Sequence, residues 1–106
     1  MTRLTARGDR PVLVPQRNAE IELRRDDGVT ALVQPGSETL HVLNDTALAL
    51  WELCDGRTTA KEMVDAICVL FDASPRAVSD DVDRTLREFG ALGLVRWTSL
   101  APARAE

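Results

Sequence analysis

The chain has no tyrosine, a single histidine (His41) and only two cysteines, Cys54 and Cys68, among 106 residues. These scarcities remove most routes to chemistry. General acid–base and nucleophilic catalysis need positioned groups with matched pKa values, and no spacing here sets an activated serine or cysteine beside His41 with a third group to orient it. The paired carboxylates Asp26-Asp27 and Asp80-Asp81 are adjacent in sequence. Adjacent side chains diverge in a turn or on a helix, so each pair reads as solvated surface. There is no glycine-rich phosphate loop. With one histidine and two cysteines, a four-ligand zinc site would rest on only three soft side chains, so neither a metal nor any other cofactor is expected. The cysteines form no CxxC pair and each falls in a helical segment, which suits reduced, buried thiols. No catalytic residue is assigned.

Long apolar runs are also missing: nothing approaches the run of about 18 residues that spans a bilayer, and the arginine-bearing N-terminus (Arg3, Arg7, Arg10) lacks the apolar centre of a signal peptide. A cytoplasmic location away from membranes is expected. Basic excess is absent too, the formal net charge being −4. Phosphate neutralisation by lysine and arginine dominates nucleic-acid binding, so an acidic chain suits a protein or peptide partner better.

What is present is a 44% hydrophobic chain long enough for one modest core. Residues 1–10 read as an arm that joins the fold near Val12, beside Pro11 and Pro15. From Ala19 the apolar positions alternate, with Ala19, Ile21 and Leu23 against Glu20, Glu22 and Arg24, the pattern of a strand with one face in water. Asp26-Asp27-Gly28 marks a turn, Val29 to Val33 a second strand, Pro35-Gly36 another turn, and Glu38 to Leu43 a third strand. In that third strand Leu40 and Val42 share one face, while Thr39 and His41 share the other. At Asn44-Asp45 the period turns helical, opening a helix with Leu48, Leu50, Trp51, Leu53 and Cys54 that ends at Asp55-Gly56. Thr59 and Glu62 form a capping-box sequence ahead of Met63, Val64, Ile67, Leu70 and Phe71. Ser74-Pro75 opens the last helix, whose stripe Val78, Val82, Leu86, Phe89 and Leu92 points to the core, with Gly93 as its left-handed stop. Leu94 to Trp97 then exits in extended form, and residues 98–106 form a tail.

The fold class expected is therefore α+β: a winged-helix-like domain over residues 11–97, with an N-terminal three-stranded antiparallel sheet followed by three helices. An open sheet edge in such a meander is a liability unless it is covered, charged or used.

The segment from Leu40-His41-Val42-Leu43-Asn44-Asp45-Thr46-Ala47 through Leu53-Cys54-Asp55-Gly56 to Thr59-Ala60-Lys61-Glu62 resembles the PqqD-like family. The resemblance continues at Asp81-Val82, Leu86 and Phe89 and closes at Gly93-Leu94-Val95. It implies a peptide-recognition module that binds the leader of a ribosomally made precursor peptide and presents it to a separate modifying enzyme, a radical-SAM maturase or a leader peptidase. It further implies that the leader adds as an antiparallel strand to the third strand, in the cleft beside the third helix. Carried onto this chain, the strand side is Thr39, Leu40, His41, Val42 and Leu43. The helix side is Val78, Asp81, Val82 and Thr85 with Glu88, and Arg84 is an ion-pair partner. The open edge is compatible with either a monomer or a homodimer.

The rival reading is a winged-helix DNA-binding protein with the third helix in the groove. That helix carries Arg76, Arg84 and Arg87 against Asp80, Asp81, Asp83 and Glu88, three cations against four anions and a net charge of −1. Such a balance opposes entry into a phosphate-lined groove.

Overall fold

Asp27 and Gly28, with φ of 56° and 81°, make the two-residue turn that starts the sheet. Two consecutive left-handed residues are what a tight hairpin between right-twisted strands requires, and aspartate and glycine tolerate that conformation. A computed structural model describes residues 12–100. The arm assigned to residues 1–10 and the tail beyond residue 100 lie outside the described residues.

The hairpin joins β2 (Glu22–Asp26) to β3 (Val29–Val33), and β3 pairs in turn with β4 (Leu40–Leu43), giving an antiparallel sheet of order β2-β3-β4. Its register sets Asp26 opposite Val29, Arg24 opposite Ala31, Val42 opposite Ala31 and His41 opposite Leu32. Helices α1 (Asp45–Leu53), α2 (Ala60–Phe71) and α3 (Pro75–Ala91) follow. Each starts at the residue its sequence marks. Asn44 accepts from the Ala47 amide at 2.8 Å. Thr59 and Glu62 close a reciprocal capping box through bonds of 2.9 and 3.1 Å. Ser74 caps α3 ahead of Pro75. These bonds satisfy amides that a helix N-terminus otherwise leaves unpaired.

The helices pack on one face of the sheet. Leu32 and Leu43 from the strands meet Leu50, Trp51, Met63, Ile67, Val82, Leu86, Phe89 and Leu94 in a single core, with Trp51 and Phe89 edge to face at a centroid distance of 6.0 Å. Leu92, expected in the buried stripe of α3, is instead 45% exposed. It is the C-cap residue, where the chain leaves the helix before Gly93 turns left-handed at φ 76°.

Two findings extend the fold beyond the expected three strands and three helices. Val12–Arg17 is a strand, β1, and it pairs along its whole length with β5 (Val95–Leu100), so residues 98–100 belong to a second, two-stranded sheet. Pro15 is accommodated because its backbone polar edge faces away from β5: its carbonyl accepts from the Gly56 amide at 3.0 Å, and the missing N–H costs no ladder bond. The second finding is that β2 begins at Glu22 rather than Ala19. Asn18 folds the intervening residues into a turn, its side-chain oxygen accepting from the Glu20 amide at 3.1 Å and its carbonyl from Ile21 at 3.0 Å.

Candidate functional site

The hairpin fixes which backbone groups of β4 are free. In a two-residue hairpin the flanking pair, here Asp26 and Val29, exchanges both hydrogen bonds, and bonded pairs then alternate with non-bonded ones along the ladder. Ala31 therefore bonds towards β2, while Thr30 and Leu32 bond towards β4, where they face Leu43 and His41. It follows that Leu40 and Val42 present their N–H and C=O groups to the open edge.

The two edges of the sheet differ in chemistry. Edge strand β2 carries Glu22, Arg24, Arg25 and Asp26, all exposed, with Glu22 and Arg24 paired at 3.1 Å. Charge of this density discourages pairing with another strand. Edge strand β4 carries no formal charge: it reads Leu40, His41, Val42, Leu43. Leu40 and Val42 share the outer face, 56% and 67% exposed, while His41 is half-buried and Leu43 buried on the helix side.

Between β4 and α3 lies a groove of about 400 Å³. His41, Val42 and Leu43 form one wall, and Asp81, Arg84, Thr85 and Glu88 form the other. Phe89, Leu92 and Leu94 also line it, and Asn44, Thr46 and Ala47 close the end where α1 begins. The α3 wall follows from helical geometry: Asp81, Thr85, Glu88 and Leu92 recur at spacings of four, three and four, one residue before the core stripe Val78, Val82, Leu86 and Phe89. Within the groove Arg84 donates to Asp81 at 2.7 Å, an exposed i,i+3 pair. At the other end the Gln34 amide nitrogen donates to the Leu92 carbonyl at 2.8 Å, and its oxygen lies 3.4 Å from His41 Nε2. Among the described residues no cluster of histidine, cysteine, aspartate and glutamate could hold a metal ion.

The structure thus brings together His41, Val42, Leu43, Asp81, Arg84 and Thr85, joined by Glu88. Leu40 continues the same edge, and Thr39 precedes the strand, its amide turned back to Ser37 Oγ at 3.0 Å. Val78 and Val82, also assigned to the helix side of the cleft, do not line this groove. They are 5% and 1% exposed in the core, because the apolar stripe of α3 is consumed by packing. Phe89, Leu92, Leu94, Asn44, Thr46 and Ala47 were missed as groove residues. For Leu92 a signal existed: it continues the 81, 85, 88 stripe.

The family model for PqqD, coenzyme PQQ synthesis protein D, matches residues 30–95. The chain belongs to the PqqD family. That match spans β3 to the start of β5, including both walls of the groove. Two solved structures share the PqqD-type fold of this chain. One is TbiB1 in complex with the TbiA(beta) leader peptide, 20% identical, covering 86% of this chain and 99% of that one with a TM-score of 0.65. The other is the PqqD truncation of Methylobacterium extorquens PqqCD, described as a functional, stand-alone recognition element for ribosomally synthesised and post-translationally modified peptides. It is 26% identical and covers 78% of this chain and 88% of that one, again with a TM-score of 0.65. A search of curated protein sequences gives no match.

Proposed function

We propose that this PqqD-family protein binds the leader of a ribosomally made precursor peptide as an added strand on β4, and delivers it to a separate modifying enzyme without performing chemistry itself. The observation that carries the proposal is the uncharged free edge of β4, with the backbone groups of Leu40 and Val42 directed outward beside the groove of α3. An extended peptide laid there gains main-chain hydrogen bonds from the edge and side-chain selectivity from the groove. The TbiB1 complex and the Methylobacterium extorquens recognition element support the reading, since the first is described with a leader peptide and the second as a recognition element.

The modifying enzyme is proposed to be a radical-SAM maturase or a leader peptidase acting in the cytoplasm. Among the described residues no helix is long and apolar enough to cross a membrane. DNA binding has no support from α3, where Asp81 and Asp83 already pair with Arg84 and Arg87.

The test uses the leader of a precursor encoded beside this gene. Calorimetry should give a dissociation constant of about 1 μM or tighter, near −8 kcal/mol. Amide hydrogen exchange should show new protection at Leu40 and Val42, with little change at His41 and Leu43, whose amides already bond to β3. An absence of binding to any such leader, or protection confined to other elements, would overturn the proposal.

A further inference from the structure

The groove is chemically polarised along its length. Gln34 bridges His41 to the Leu92 carbonyl, so the His41 end lies beside the C-terminus of α3. Glu88 stands one turn before Leu92 on the groove wall. Among the described residues no lysine or arginine forms an ion pair with Glu88. The last turn of α3 contains no basic residue, and the carbonyl end of a helix carries partial negative charge. Carboxylate and helix end therefore add at this point. The opposite end differs: Asp81 and Arg84 neutralise each other there, and the rest of its lining, Leu43, Asn44, Thr46, Ala47 and Thr85, is uncharged.

A strand added to β4 alternates its side chains. The residue opposite Val42 points to the outer face, while those opposite His41 and Leu43 point into the groove. In an antiparallel strand the residue facing Leu43 precedes the one facing His41 by two positions.

We infer that the groove selects a leader segment in which an uncharged residue is followed two positions later by lysine or arginine, with Glu88 as the specificity-determining residue for the basic side chain. The inference rests on leader binding at β4 and adds the chemical class of leader recognised. Glu88 is exposed, so its contribution is that of a rim charge: modest, sensitive to salt, and directed to discrimination between partners.

The experiment pans a phage-displayed library of random peptides on the purified protein, then measures defined peptides that differ only by lysine or glutamate at the selected position. Fluorescence anisotropy is recorded with the wild type, Glu88→Gln, Glu88→Lys and Val42→Pro, each checked for native circular dichroism. The wild type should enrich the uncharged-x-basic pattern and prefer lysine over glutamate by about fivefold. Glu88→Gln should reduce that preference, and Glu88→Lys should reverse it. If Val42→Pro abolishes binding while Glu88→Lys leaves the lysine preference intact, the Glu88 assignment is wrong and leader docking on β4 stands. If the same peptides bind Val42→Pro unchanged, or none is enriched by the wild type, docking on β4 fails and the inference falls with it.

Discussion

Gln34 and Leu92 are joined by a 2.8 Å hydrogen bond from the glutamine side-chain nitrogen to the last carbonyl of the α3 turn. The bond ties the residue after β3 to the C-cap of α3, beside the groove. Gln34→Ala removes it together with the contact to His41. The cost to stability should be about 1 kcal/mol, as for an ordinary hydrogen bond, measurable by urea denaturation. Leader affinity should fall about tenfold, because a wall that shifts no longer presents Glu88 and Leu92 in register with β4. Unchanged affinity in the destabilised variant would show that the tether does not shape the groove.

Proline at Val42 tests the docking edge with little damage to the sheet. The Val42 amide faces the open edge, so its loss breaks no bond to β3, and proline is accepted in an edge strand when its missing donor faces outward. Val42→Pro should keep its circular dichroism spectrum and lose leader affinity by at least about tenfold. At Leu43 the same change would remove a bond to Thr30 and should destabilise the sheet itself.

Trp97 lies across Gly90: a Cβ placed on that glycine would stand 3.3 Å from indole Nε1. Replacing glycine by alanine in a helix interior ordinarily gains about 1 kcal/mol. Here the methyl group displaces the indole that couples β5 to α3, so Gly90→Ala should show little or no gain in melting temperature. In the background Trp97→Ala, where the indole is gone, the same substitution should recover its stabilising effect. The double-mutant cycle isolates the coupling.

Cys54 has a pH consequence. Burial, more than the nearby Asp55 and against the pull of Arg17, pushes its thiol from 9.0 to about 12. It donates to the Leu50 carbonyl at 3.2 Å. Because the folded-state pKa is raised, the unfolded chain loses this proton first as pH increases. The stabilisation is complete below pH 9 and declines as pH rises towards 12. The chain has no tyrosine to obscure that window. Denaturation midpoints should fall above pH 9 in the wild type and less steeply in Cys54→Ala, and the native Cys54 thiol should resist alkylation until the protein unfolds.

Local sequence was sufficient for every element whose signals are local. The Asp27-Gly28 hairpin, the Asn44, Thr59 and Ser74 caps and the Gly93 stop are each written within a few residues, because capping and turn chemistry act over that range. The alternation in β4 likewise set Leu40 and Val42 against His41, and the resemblance placed the groove beside that strand. Pairing between the ends of the chain was not legible. Nothing near Val12 announces Val95–Leu100 as its partner, and Pro15 argues locally against a strand until the loop at Gly56 is seen to occupy its other edge. The same limit explains Val78 and Val82. Periodicity marks an apolar stripe, but only packing decides that the core takes 78, 82, 86 and 89 and leaves the stripe one residue earlier to face β4. Sequence alone marked the three helices, the meander of three strands that precedes them and the uncharged character of β4. Tertiary structure decided which side of α3 meets that edge, because helix orientation follows from burying apolar area against distant segments.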